Sequence, residues 1–531
     1  MSGEPTVLAI DLGTSGAKCA LVQLDGRIVA WDSHPVETQV IGHDGAEQRP
    51  TDWWQAIAAA TRGVLQKADT PNIVAICAST QGEGTVAVDE HGEVLHPALL
   101  WLDMRGHHAL TKQVGSSPVR VAGYDALKLA RWIRLTGGAP ALSGKDPAGH
   151  MLYIKQELPE IYRRTHKFLN IIDYINFRFT DRMAAPPDSI MTSWVTDNRD
   201  PANVRYHNGL IQSLGVDADK LPEIVRATDV VGNLTASAAT DLGLEPGIPV
   251  VTGTIDTAAA AIGSGAVADG QVHLYIGTSS WLGAHVPWKR TNLQSQFASL
   301  PCAMTDRYLM IALQSSAGSN LSFLRDQVFY NNDELLQNEE QPDAYQILDM
   351  IADRVPAGSQ GILYTPWLFG ERCPVDDGTL RAGFLNLSMQ HSRAEMIRAV
   401  LEGVALNTRW MLGPVKKFLR DYPVNEITIV GGGGASDVWC QIFADVMNVR
   451  IKQLESPIQA NVLGSAFIAG VGIGAMKFAD VAERTRIRKV YKPITEHRDV
   501  YDQAFTNFTD AYKRLSPWYR RINRNRKNVS T

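Results

Sequence analysis

The sequence predicts an α/β protein made of two similar domains that face each other across a cleft. Three observations carry this. First, residues 7–11 form a short apolar strand that runs into Gly13-Thr14-Ser15-Gly16, and a second strand follows over 19–24. Asp25-Gly26 then has the residues of a tight hairpin turn into a third strand. Second, the same arrangement returns about half a chain later. There, residues 272–276 stop at Gly277-Thr278-Ser279-Ser280, and a strand continues to Val286. Third, residues 249–252 are a β-branched run followed by Gly253-Thr254-Ile255-Asp256 and an Ala-rich helix. That sets Asp256 where a strand ends and a helix begins.

Glycine lets a backbone approach an anion, and Thr/Ser hydroxyls with free N–H groups bind its oxygens. A carboxylate at the mouth of a sheet, close to such a turn, can be a base beside a phosphate cradle. It can equally be a helix N-cap, a common job for Asp. Repetition of the turn decides between them. Two phosphate-clasping hairpins facing across a cleft is the logic of an actin-like ATPase, with two ribonuclease H-like domains. At these residues the chain resembles the FGGY family of carbohydrate kinases.

The resemblance implies ATP and Mg²⁺ as cofactors and a small sugar or polyol as substrate. Its phosphate contacts are Gly13, Thr14, Ser15 and Lys18 in the first turn and Gly277, Thr278 and Ser279 in the second. Asp11 ends the first strand and is the metal aspartate; one carboxylate suits Mg²⁺, which keeps most of its water. Asp256 is the catalytic base, and Thr257 beside it is a substrate contact. No GxxxxGK[ST] is present, so the first turn is not a P-loop.

A length of 531 residues allows two or more domains with ample core. The expected division is 1–252, 253–490 and a helical tail over 491–531. With 45% hydrophobic and 20% charged residues and a net charge of −5, the composition is globular and gives no sign of a nucleic-acid partner. The five cysteines are scattered and lack any CxxC, which points to reduced thiols in a cytoplasm. The first six residues are short and polar, so no signal peptide is expected, and no apolar run reaches the roughly 20 residues that span a bilayer. The oligomeric state is open, with a homodimer among the candidates.

In chain order, Thr51 is a good N-cap for a helix through Lys67, and Trp53 and Trp54 read as core. The strand over 73–78 leads to Ser79-Thr80-Gln81-Gly82-Glu83-Gly84, and Trp101-Leu102-Asp103-Met104-Arg105 follows. Gln81, Glu83 and Asp103 supply the paired donors and acceptors that recognise vicinal hydroxyls. A structural ion pair between Asp103 and Arg105 is the alternative. The resemblance makes these the sugar pocket, with a departure. Xylulose kinases carry Gln-Met-His-Gly here and glycerol kinases Gln-Arg-Glu, while this chain has Gln81-Gly82-Glu83-Gly84. A ketopentose such as xylulose is the first expectation, with ribulose, a tetritol and glycerol open.

Helices are expected over 152–162 and 173–179. Asp173-Tyr174 and Asp188-Ser189 match the family as supports of the fold. Gly318, at a strand-to-helix turn, is a nucleotide contact by resemblance, and Glu371 and Arg372 order a loop. Residues 392–418 form a long helix. The strand over 427–430 ends in Gly431-Gly432-Gly433-Gly434-Ala435-Ser436-Asp437, where the backbone can carry a flat base. The resemblance makes Gly432, Gly433, Gly434 and Asp437 the adenosine site. Gly470-x-Gly472-x-Gly474 follows no strand and reads as helix packing. Tyr501, Phe505, Phe508 and Tyr512 form a docking face, and the basic end from Tyr519 through Arg526 and Lys527 reads as solvated and frayed. The rival from another class, a nucleotide-gated binding protein of the actin or Hsp70 type, has no use for a polyol pocket.

Overall fold

The structure is a computed structural model that describes residues 3–69, 71–329 and 344–524. Its N-terminal half is organised on strands β1 (Pro5–Gly13), β2 (Gly16–Gln23) and β3 (Ile28–Pro35). Helix α1 (Pro50–Gln66) and strand β4 (Asn72–Thr80) follow. Next come helix α2 (Ile171–Thr180), strands β5 (Val230–Asn233) and β6 (Pro249–Ile255), and helix α3 (Asp256–Gly263). The six strands form one sheet in the order β5-β6-β4-β1-β2-β3. β1, β4 and β6 are parallel, and β2, β3 and β5 are antiparallel to their neighbours.

The C-terminal half repeats this. Strands β7 (Val272–Ile276), β8 (Ser280–Val286), β9 (Thr291–Asn292), β10 (Phe297–Pro301) and β11 (Tyr308–Gln314) come first. Helix α4 (Arg393–Leu419), strand β12 (Glu426–Val430), helix α5 (Asp437–Met447) and strand β13 (Arg450–Leu454) follow. Helix α6 (Ala460–Gly472), strand β14 (Ile487–Tyr491) and helix α7 (Arg498–Ile522) end the chain. The sheet order is β9-β10-β11-β8-β7-β12-β13-β14. Again three strands are parallel, β7, β12 and β13, with an antiparallel hairpin on one side and an antiparallel edge strand on the other.

The two sheets meet through α3 and α6. A side chain on Gly263 would lie 1.8 Å from the Ala460 carbonyl, and one on Gly464 would lie 2.0 Å from that of Ala259. Only glycine permits this approach. Of the later glycines, Gly470 packs against Met476 and Gly472 against Val251, while Gly474, at φ +74°, faces open space. One apolar cluster runs from Val7, Ala9 and Cys77 of the first sheet through Ala261 and Ile262 to Val430 and Leu454 of the second.

Several expectations change. β6 pairs with β4 through Ile255, so a division at 252/253 cuts a strand of the first sheet. Thr51 does not cap α1: Arg49 is the cap residue without a side-chain bond, and Pro50 occupies the first turn, where its fixed φ suits a helix start. The helix expected over 152–162 is two, Pro147–Glu157 and Pro159–Arg164, because Pro159 cannot donate into the first. Helix α4 begins with a capping box between Ser392 and Glu395.

The tail is part of the second domain's core. Tyr501 and Phe508 are fully buried, and Phe505 and Tyr512 pack against the same cluster. Its end is ordered by contacts that sequence reading missed. Arg520 pairs with Asp377 at 3.0 Å, and Asn523 Nδ2 donates to the Thr379 carbonyl at 2.8 Å. Arg526 and Lys527 lie outside the described residues.

Candidate active site

The first turn closes the β1–β2 hairpin, where Asp11 stands opposite Lys18. Asp11 Oδ1 accepts from Ser79 Oγ (3.2 Å) and from Asn461 Nδ2 (3.0 Å), the latter at the start of α6. Lys18 Nζ lies 3.9 Å from Asp11 Oδ2 and donates to the Ile458 carbonyl at 3.0 Å. The metal candidate is thus held between the two domains. Among the described residues no three His, Cys, Asp or Glu side chains cluster as a metal cage. A lone carboxylate suits Mg²⁺, which binds few protein ligands and keeps several waters.

Thr14 is tied down. Its hydroxyl donates to Gln81 Oε1 (2.8 Å) and accepts from Trp101 Nε1 (3.1 Å), and its carbonyl accepts from Gln48 Nε2 (2.7 Å). This corrects the expectation for Gln81. Its side chain is buried, with Oε1 on Thr14 and Nε2 on Gln48 at 3.1 Å, so it braces the first turn. Asp103 is corrected too. It is fully buried and accepts from the Arg105 guanidinium (2.7 Å to Oδ2) and from the Ala46 N–H (2.9 Å). The structural ion pair is the observed state, extended by Arg105 to Glu47 at 2.5 Å.

Glu83 stands apart from these. It sits at φ +61° just past the end of β4, and it is only half-buried. Burial raises its pKa, opposed by Arg372 and Lys145. Lys145 is itself pushed down by burial and by Arg372, with Glu83 acting against them. Two cations from different domains therefore face one carboxylate. Neither shows a side-chain hydrogen bond or close ion pair among the described residues. Lys145 carried no motif in the sequence, and Arg372 read only as a loop residue. Glu371 does order that loop, accepting from the Ser315 N–H (2.9 Å), the Arg372 N–H (2.8 Å) and Asn407 Nδ2 (2.7 Å).

Asp256 is half-buried at the first position of α3, and Ile255 is the cap residue, so the N-cap alternative is not what forms. Burial lifts its carboxyl from the ordinary value to about 7, aided by the charges of Asp11, Glu83 and Asp188 and opposed by the Thr257 N–H. A carboxylate poised near neutrality is what a general base needs. Tyr275 borders the same region, its hydroxyl pKa pushed up by burial and by Asp11 and Asp256.

The second turn is backed by the start of the next helix. The Gly318 N–H donates to the Gly277 carbonyl (2.8 Å), and the Ala317 N–H to that of Thr278 (2.9 Å). A side chain on Gly318 would meet the Gly277 carbonyl at 2.5 Å. Gly318 therefore builds the turn directly. The Thr278 and Ser279 hydroxyls carry no hydrogen bond among the described residues.

In the glycine-rich corner after β12, Gly432 is exposed and a side chain there would meet nothing within 4 Å. Gly433 is half-buried over Ile276 and Trp439. Gly434 is buried, and its carbonyl accepts from Gln453 Nε2 at 2.9 Å, so it supports the corner from beneath. Asp437 pairs with Arg488 (3.0 Å) and accepts from Gln453 Nε2 (3.1 Å), partners that already neutralise it. A separate cavity of about 360 Å³, lined by Asp269, Glu426, Arg450 and Lys452, contains none of these residues.

A pair of like-folded domains with a Gly-Thr-Ser hairpin in each and a carboxylate lifted to about 7 near their junction is an arrangement suited to phosphoryl transfer. Family models agree. The description "FGGY family of carbohydrate kinases, N-terminal domain" matches residues 6–263, and its C-terminal counterpart matches 272–473. The chain belongs to the FGGY family of carbohydrate kinases and is a sugar kinase, with ATP as the co-substrate the family implies. It is 28% identical to a xylulose kinase of Staphylococcus epidermidis over 516 residues, covering 96% of this chain and 97% of that one. It is 26% identical to a gluconokinase of Bacillus subtilis over 524 residues, covering 97% of both. The crystal structure of a ligand-bound xylulose kinase from Lactobacillus acidophilus superposes with a TM-score of 0.83 at 22% identity, over 98% of this chain and 100% of that one.

Proposed function

We propose that the protein transfers the γ-phosphoryl group of ATP to a hydroxyl of a small open-chain sugar, with Asp256 as the base. The raised proton affinity of Asp256, close to Asp11 of the first turn, carries this reading. ATP lies with its phosphates between the two Gly-Thr-Ser turns and its base on Gly432 and Gly433. Asp11, through water, would hold Mg²⁺, which supplies charge to offset the phosphates. Asp256 takes the proton of the acceptor hydroxyl as that oxygen attacks. The transition state of such transfers is loose, so alignment and charge stabilisation supply most of the rate. Closure of the domains on each other excludes water and limits ATP hydrolysis. We divide the chain functionally after Gly263. The burial of all five free cysteines fits a reducing cytoplasm.

A ketopentose such as xylulose is the first acceptor, supported by the xylulose kinases among the relatives. A second reading, a sugar acid, is favoured by Lys145 and Arg372 beside Glu83, since two cations whose side chains have no hydrogen bond among the described residues suit a carboxylate. Gluconokinases stand among the relatives as well. The test is ADP release from Mg-ATP against ketopentoses, tetritols, glycerol and aldonates. Turnover with xylulose, unchanged by Lys145→Met, supports the first reading. Turnover with an aldonate that this variant weakens at least tenfold supports the second. ADP release independent of every acceptor sinks both.

A further inference from the structure

We propose that Asp188 is a positioning residue for phosphoryl transfer, its carboxylate holding the corner from which Asp256 projects. Asp188 is 1% exposed and lies in a one-turn helix, Pro187–Ile190. Its Oδ2 accepts from Thr254 Oγ1 and from the Ile255 N–H at 3.1 Å. These are the last two residues of β6, immediately before Asp256. The corner has little of its own to hold it. Its cap residue is Ile255, whose side chain cannot bond the free N–H groups of α3.

Asp188 is in turn anchored to α2. Asp173 Oδ1 accepts from Ser189 Oγ at 2.9 Å, and Asn170 Nδ2 donates to the Ser189 carbonyl at 2.7 Å. A second tie from α2 runs from Asn176 Nδ2 to the Thr252 carbonyl at 2.7 Å. The result is a buried rail from α2 through Ser189 and Asp188 to the base. The second carboxylate oxygen of Asp188 has no hydrogen-bond partner among the described residues. The group is therefore engaged through the one oxygen that faces the corner. A misplacement of about 1 Å in a reacting group costs up to about 10²-fold in rate, so loss of the rail lowers kcat while the ATP and acceptor contacts persist.

The inference rests on Asp256 being the base, and the experiment separates the two. Measured are kcat, KM for ATP and for acceptor, and Tm, for Asp188→Ala, Asp188→Asn, Thr254→Val and Asp256→Asn. Asp188→Ala is expected to lower kcat by about 30–100-fold, with both KM values within about threefold of the parent. Asp188→Asn keeps an acceptor oxygen for Ile255 and Thr254 and restores kcat to within about fivefold. If Asp188→Ala does not fold, Thr254→Val carries the test, with kcat down about fivefold and KM unchanged. A folded Asp188→Ala with parental kcat, a Thr254→Val with parental kcat, or equal losses in kcat and ATP affinity overturn the proposal. A fully active Asp256→Asn overturns the base assignment instead.

Discussion

The two hairpin turns share a Gly-Thr-Ser sequence and differ in backbone and employment: the first is a two-residue turn between paired Gly13 and Gly16, the second a three-residue bend between paired Ile276 and Ser280. In the first, Thr14 is bonded to Gln81, Gln48 and Trp101, and the residue two before the glycine is Asp11. In the second, the Thr278 hydroxyl carries no such bond, and the matching position is Tyr275, stacked on Trp281 at 3.9 Å between ring centroids. The loop after β4 carries Glu83, while the corner after β12 carries glycines. One duplicated frame has therefore been divided. The first domain holds Asp11, Glu83 and Asp256 and braces its turn with Gln81, Gln48 and Trp101. The second leaves bare backbone at Gly432 and, among the described residues, unbonded hydroxyls at Thr278 and Ser279.

Asp256→Asn tests the division most severely. It removes the base from the first domain and leaves the second untouched. Turnover should fall by about 10³-fold, with ATP affinity by calorimetry changed less than threefold. Next in size is Gly318→Ala. Its new methyl meets the Gly277 carbonyl at 2.5 Å, which displaces the second turn. KM for ATP should rise at least about tenfold. The paired variants Thr14→Val and Thr278→Val sharpen the contrast. Thr14→Val leaves the buried Gln81 oxygen without a donor and should cost about 1–3 kcal/mol of stability by denaturant titration. Thr278→Val should leave stability within about 0.5 kcal/mol and weaken ATP binding. Equal stability losses in both would erase the distinction.

The division also predicts a pH dependence. Asp256 must be unprotonated to act, and its pKa is lifted to about 7 by burial and by Asp11, Glu83 and Asp188. kcat/KM should therefore rise about tenfold per unit up to roughly pH 7 and then level off. The stability sign is opposite. A carboxyl with a raised folded pKa binds its proton more tightly when folded, so its contribution is present below the unfolded value and lost as pH rises through about 7. Asp256→Asn should accordingly raise Tm by about 1–2 °C at pH 8, and less at pH 5.

Strand-turn-strand units were legible because their signals are local. Hairpin glycines, β-branched runs and alternation are set by neighbours in the chain. Glu83 and Asp256 were legible as carboxylates at the ends of strands, and the structure leaves both half-buried. Gln81 and Asp103 were not, since whether a polar side chain faces a ligand or a buried partner depends on residues far away. Thr14 lies 67 positions from Gln81. Lys145 had no local signature at all, and Asp188 looked like scaffolding until its carboxylate met the strand that carries the base.

The sequence by itself determined two like α/β domains, a Gly-Thr-Ser turn in each, and a carboxylate at the strand-to-helix corner between them. Periodicity and turn chemistry are short-range properties, and repeating them half a chain apart repeats the fold. Only the tertiary structure decided which polar groups remain free. Burial and partner choice follow from contacts such as Asn461 on Asp11, Lys18 on Ile458 and Asp188 on Ile255. The same packing sets proton affinity, because the charges around Asp256 come from three separate stretches of chain brought within reach of one another.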